Sequence, residues 1–150
     1  MSENNNHLIW NLPKEPHPLL RTLDPLIGKW KITGPDIEGE VTYEWMEGGF
    51  FFIQKFDLQQ DGHQKGIEYT GYDEETGTLR SRLMQTNGGR LTYTYEIEGY
   101  TFYYWFGDKG SDVYSLSTFS EDFNSYKGAW HWTNEDGTPG GYDFSATRIG

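Results

Sequence analysis

The side chains able to do chemistry in this 150-residue chain are few. There is no cysteine, so disulfides, thiolate metal sites and Cys nucleophiles are excluded. The four histidines, His7, His17, His63 and His131, form no pair at i, i+2 or i, i+4 spacing, and no metal is expected. No Ser-His-Asp order or nucleophile-elbow motif is present, and "NGGR" at 87–90 reads as a hairpin turn rather than a phosphate cradle. The acidic clusters Asp73–Glu75 and Glu121–Asp122 read as solvated turns. That leaves Glu68, in "KGIEYTGYD", as the candidate general acid or base. On an inward strand face it would be a buried carboxylate beside tyrosine hydroxyls, and on the outward face an ordinary strand Glu, the commoner case. Arg80 and Arg82 are expected outside, against neighbours such as Glu96 or Glu68, and would bind a carboxylate only with the opposite parity.

Composition narrows the partners. The net charge of −11 argues against a phosphate-tracking surface and against an anionic membrane surface, so neither nucleic acid nor membrane is expected as a partner. The start, "MSENNNHLIW", has no basic n-region or apolar h-region, and no run has the length of a membrane span, which makes the cytoplasm the expected location.

Any site must be positioned by strands. Residues 1–17 form a polar arm in which Leu8, Ile9, Trp10 and Leu12 are apolar enough to cover a barrel end or a neighbouring subunit. "PHPLLRTLDPLIG" is the one helical piece: Leu19, Leu20, Leu23 and Leu26 have helical spacing, while Pro25 points to a short or broken turn. From Gly28 the hydrophobic period is two. Strands are expected at 28–34, 39–47, 50–59, 65–73, 78–86, 90–97, 100–106, 112–119, 125–133 and 141–149, separated by Gly- and Asn-containing turns. Consecutive antiparallel strands joined by hairpins imply an all-β fold, a single up-and-down barrel of about ten strands over residues 18–150, opened by the helical turn. A sandwich is the alternative, but no long Greek-key crossover is visible.

Alternation sorts the faces. Val41, Tyr43 and Trp45 point in, as do Phe50, Phe52, Gln54 and Phe56; Leu79, Ser81, Leu83 and Gln85; and Leu91, Tyr93, Tyr95 and Ile97. Tyr100, Phe102, Tyr104 and Phe106 form the uncharged face of their strand, and Trp130 and Trp132 oppose Lys127 and His131. The faces of "KGIEYTGYD" and "DVYSLSTF" are ambiguous. Phe51, Ile53, Met84, Tyr103 and Trp105 fall outside, where a contiguous patch would support a homodimer. The inward aromatics either fill the barrel or line a cavity, and a ten-stranded barrel is wide enough for the second.

Two motifs carry a resemblance. "GKW" at 28–30 opens the first strand, and Thr147–Arg148 closes the last. With "EWMEGGFF" and "GYDEETG" between them, the chain resembles the calycin superfamily of lipocalins and fatty-acid-binding proteins, and most closely the bacterial calycin-like domain-of-unknown-function proteins, over residues 26–148. The resemblance implies a barrel in which Arg148 packs across Trp30 beside Gly28 at the closed end, and it implies no known activity. Nitrobindin-like calycins hold haem through a barrel His. Here the Gly-x-Gly-x-Tyr-Pro stretch is replaced by "KITGPDIEGE", and His131 faces outward by parity, so no cofactor is expected.

The expected function is therefore a barrel that binds a small, uncharged, hydrophobic or aromatic molecule. The ligand-binding candidates are Tyr43, Gln54, Gln85, Tyr93, Tyr95, Tyr104 and Trp130. The alternatives are an enzyme acting on a small hydrophobic substrate through Glu68 or a barrel Tyr, and a self-associating interaction module.

Overall fold

A computed structural model describes residues 12–150. The apolar arm residues Leu8, Ile9 and Trp10 lie outside that range. No helix among the described residues is long and apolar enough to cross a membrane.

The first element is a 3-10 helix, Pro18–Leu26. Pro18 opens it, where a missing N–H costs nothing, and the His17 ring nitrogen accepts from the Leu19 N–H. Pro25 lies inside the helix without breaking it. Leu20, Leu23 and Leu26 repeat every three residues, the period of a 3-10 helix, and all three are buried. This stripe plugs one end of the barrel.

Ten antiparallel strands follow: β1 (Gly28–Thr33), β2 (Glu38–Trp45), β3 (Phe52–Gln59), β4 (His63–Asp73), β5 (Thr78–Gln85), β6 (Arg90–Glu98), β7 (Thr101–Phe106), β8 (Tyr114–Phe119), β9 (Ser125–Thr133) and β10 (Pro139–Arg148). Each pairs with the next, and β1 pairs with β10, so the sheet closes with no free edge. The all-β up-and-down barrel read from the alternation is the observed fold.

The seam between β1 and β10 sets Trp30 opposite Arg148. The Arg148 guanidinium lies 4.3 Å from the centre of the fully buried Trp30 ring. It also donates to three backbone carbonyls, those of Ile27, Pro25 (2.7 Å) and Phe123 (2.9 Å), and to the Asn124 side chain. The Trp30 indole N–H donates to the Leu26 carbonyl at 2.8 Å. The helix end, the first strand and the last strand are thereby tied at one point. Gly28 is required here: its φ is +128°, and a Cβ would sit 2.7 Å from an Arg148 guanidinium nitrogen.

Some expected placements change. Phe50 belongs to the turn before β3, which starts at Phe52. Phe106 meets Tyr93 edge-on and is 42% exposed, because β7 ends there on the open rim. Tyr100 precedes β7 and stacks on Phe123 outside the core. Trp105 faces outward, yet it is 6% exposed, because Tyr103 stacks on it at 4.7 Å and Lys109 lies over its ring. Phe51 is 46% exposed and packs on Gly71, where a Cβ would meet its ring at 2.8 Å. Arg80 pairs with Asp108 at 2.8 Å, and Glu96 with Lys109, so neither Glu96 nor Glu68 is the partner of Arg80.

Arg148→Ala would remove a cation–π contact and leave carbonyls at the seam without donors. We expect a loss of about 3 kcal/mol, read as a lower urea midpoint. Arg148→Lys should recover only part of it, since an ammonium cannot reach several carbonyls while stacking on an indole. Equal stability of Arg148→Ala and the parent would show that the seam does not depend on this side chain.

Candidate functional site

Alternation gives each strand one inward set, and closure brings those sets together. One rung of the ladder runs Tyr43–Gln54–Glu68–Leu83–Leu91 across β2 to β6, all facing in. The helix plugs the end where β1 starts and β10 finishes. At the opposite end the loops after β1, β3, β5, β7 and β9 surround a cavity of about 460 Å³. Ile32, Val41, Phe56, Leu83, Phe102 and Phe144 form apolar parts of its wall.

All seven expected binding residues, Tyr43, Gln54, Gln85, Tyr93, Tyr95, Tyr104 and Trp130, line this one cavity. The Gln54 amide N–H donates to the Tyr43 hydroxyl at 2.8 Å, which fixes both side chains. Tyr93 stacks on Tyr104 at 4.4 Å with an interplanar angle of 11°, and Trp130 meets Tyr104 edge-on at 5.6 Å. The aromatic wall is therefore a locked cluster rather than a set of free rings. Gln60, Gln64, Ser115, Tyr126 and Tyr142 also line the cavity and were not among the expected residues. Gln60 sits in a turn, where alternation assigns no face. Ser115 belongs to the ambiguous β8, whose inward set is Ser115, Ser117 and Phe119. His131 is exposed and stacks on Tyr114 on the outer surface. Among the described residues no group of three or more His, Cys, Asp or Glu side chains could hold a metal ion.

Glu68 takes the inward face of β4, with Thr70 and Tyr72, against the commoner outward placement. It is 0% exposed. The hydroxyls of Ser81, Tyr95 (2.6 Å) and Tyr104 donate to its carboxyl group, and Tyr104 reaches both oxygens, at 2.9 and 3.0 Å. Among the described residues no basic side chain shares in this cluster. Burial raises the pKa of Glu68 above the ordinary carboxylate value, and the three hydroxyl donors pull the other way without cancelling the effect. Burial and the nearby Glu68 carboxyl likewise push Tyr93, Tyr95 and Tyr104 above the usual tyrosine range. Tyr126 is pushed up to about 12 by burial. These phenols stay neutral at any ordinary pH. Glu68 itself is not on the cavity surface; it meets the cavity through Tyr95 and Tyr104.

No family model matches the chain, and no curated protein matches it either. Among solved structures it is similar to the crystal structure of Rv2717c from M. tuberculosis, with a TM-score of 0.54 and 14% identity, over 91% of this chain and 100% of the other. At that identity the likeness is one of fold.

The unfolded chain releases the Glu68 proton at the ordinary carboxylate pH, and the folded chain holds it to higher pH. Between the two values the folded state binds more protons, so stability falls as pH rises. Glu68→Gln lacks this titration. The stability of the variant relative to the parent should therefore rise with pH across that interval, by at most about 1.4 kcal/mol per pH unit. Urea unfolding of both proteins at several pH values measures the slope; a flat difference would mean that folding does not perturb Glu68.

Proposed function

We propose that this protein is a non-catalytic, calycin-like barrel of the cytoplasm that binds a small, uncharged, hydrophobic or aromatic molecule in its interior. One observation carries the reading: among the described residues lining the cavity of about 460 Å³, none is charged. That volume lies within the usual range of small-molecule sites, and the wall combines apolar surface with a few fixed amide and hydroxyl groups. The Gly28, Trp30 and Arg148 arrangement and the closed ten-strand meander support the calycin-like assignment. An ionised ligand would meet no counter-charge on such a wall, and its desolvation would go uncompensated.

The buried Glu68 favours a second reading, proton transfer to a small hydrophobic substrate. The group in contact with that substrate would be Tyr104, since Glu68 is screened from the cavity. A raised carboxyl pKa without a facing base or nucleophile supports binding better than turnover.

The test is fluorescence titration with prodan, an uncharged propionyl-naphthalene dye. Binding should shift its emission to the blue, and unlabelled naphthalene should displace it. Val113 lies on the cavity lining beside the open end, and Val113→Trp should narrow the entrance and weaken binding at least about tenfold without unfolding the barrel. Prodan emission unchanged at saturating protein would sink the proposal.

A further inference from the structure

Tyr104 is both part of the cavity wall and one of the three hydroxyl donors on Glu68. The three bonds differ. Ser81 and Tyr95 each address a single carboxyl oxygen at short range, whereas Tyr104 straddles both at 2.9 and 3.0 Å. A divided bond to two acceptors is the loosest of the three. The Tyr104 ring cannot move much, because Tyr93 stacks on one face and Trp130 abuts it. The hydroxyl hydrogen is the part free to turn.

Its direction depends on what Glu68 presents. An ionised carboxylate only accepts, so the Tyr104 O–H points at it and the cavity sees a lone pair. A protonated carboxyl group can donate to the Tyr104 oxygen, and the Tyr104 hydrogen then turns into the cavity as a donor. We propose that Tyr104 is a hydrogen-bond donor for a ligand carbonyl, and that Glu68 takes up one proton from solvent when such a ligand binds. This rests on the interior-binding reading and adds a ligand class to it: apolar, planar molecules bearing a ketone, amide or ester oxygen.

Among the described residues, the surroundings of Glu68 add no competing charge. Tyr43 faces it from β2, Tyr93 and Tyr95 from β6 and Tyr104 from β7, all with raised pKa values and so neutral; β3 presents Gln54, β5 presents Ser81 and Leu83, and β9 brings Trp130 against Tyr104. The elevated pKa of Glu68 also makes its protonation easier than that of an exposed carboxylate.

The linkage has a definite sign. Below the pKa of free Glu68 the donor state is already present, and carbonyl affinity is independent of pH. Above it, affinity for a carbonyl ligand falls as pH rises, by up to about tenfold per pH unit. A ligand without an acceptor oxygen shows no such fall.

The experiment compares prodan with dimethylaminonaphthalene, the same ring system without the ketone, by titration from below to above the pH at which the carboxyl carbon of ligand-free Glu68 is seen to titrate by NMR. Calorimetry in buffers of different ionisation enthalpy counts protons. The proposal expects proton uptake and a pH-dependent affinity with prodan alone. It expects pH-independent prodan binding by Glu68→Gln, whose amide N–H permanently supplies the donor to Tyr104. It expects Tyr104→Phe to bind both dyes alike, with no proton uptake. The Glu68 side-chain carboxyl carbon, followed by NMR, should titrate at higher pH with prodan bound than without, a shift that a merely structural Glu68 would not show. Prodan binding without proton uptake at every pH, or an unmoved Glu68 titration, overturns the proposal and leaves interior binding standing. Failure of both dyes to bind overturns interior binding and this inference with it.

Discussion

Closure of the sheet on itself is the constraint on which the rest depends. Nine of the ten strand pairings join neighbours along the chain. The tenth, β1 with β10, joins its two ends, and ordering so long a loop has the largest entropic cost of any pairing here. The Trp30–Arg148 contact sits at that seam, with the carbonyls of Pro25 in the 3-10 helix and of Ile27 just after it as further anchors. Without the seam, β1 and β10 would be bare edges, and the inward aromatic face would open to water.

A closed barrel decides what its interior can contain. Ten strands enclose more volume than the helix and the inward side chains fill, and the unfilled part lies at the end away from the helix. The most polar side chains of the interior find partners there, whereas the buried hydroxyls of Thr70 and Ser117 do not. Gln54 meets Tyr43, and Glu68 meets three hydroxyls. The buried carboxyl group is the exception in an otherwise uncharged interior. Ordinary polar chemistry holds it there, with no ion pair, so it remains sensitive to whatever alters those hydroxyls.

Much of this was legible in the sequence. Strict alternation flanked by Gly-rich turns located every strand to within about four residues, and uncharged faces named wall residues such as Tyr93 and Trp130. The failures have physical causes. Both faces of β4 carry hydrophobic and polar residues, so alternation alone could not place Glu68. Its inward position follows from donors on β5, β6 and β7, which no single-strand pattern reports. Trp105 shows that an outward residue can still be buried when its own neighbours cover it. Phe106 shows the reverse at a rim, where an inward parity does not bring burial. Gln60 reaches the cavity from a turn, where periodicity assigns no face, and Gln64 shares the inward face of β4 with Glu68.

The seam also has a mechanical meaning. β1 and β10 are antiparallel neighbours whose outer ends, Gly28 and Arg148, lie at the same end of the barrel. Tension applied between those ends would act across the β1–β10 ladder and break its hydrogen bonds one after another, from Trp30–Arg148 inward, instead of shearing them all at once. The guanidinium on the indole is therefore the first latch to carry load, and the barrel would yield as a zipper does.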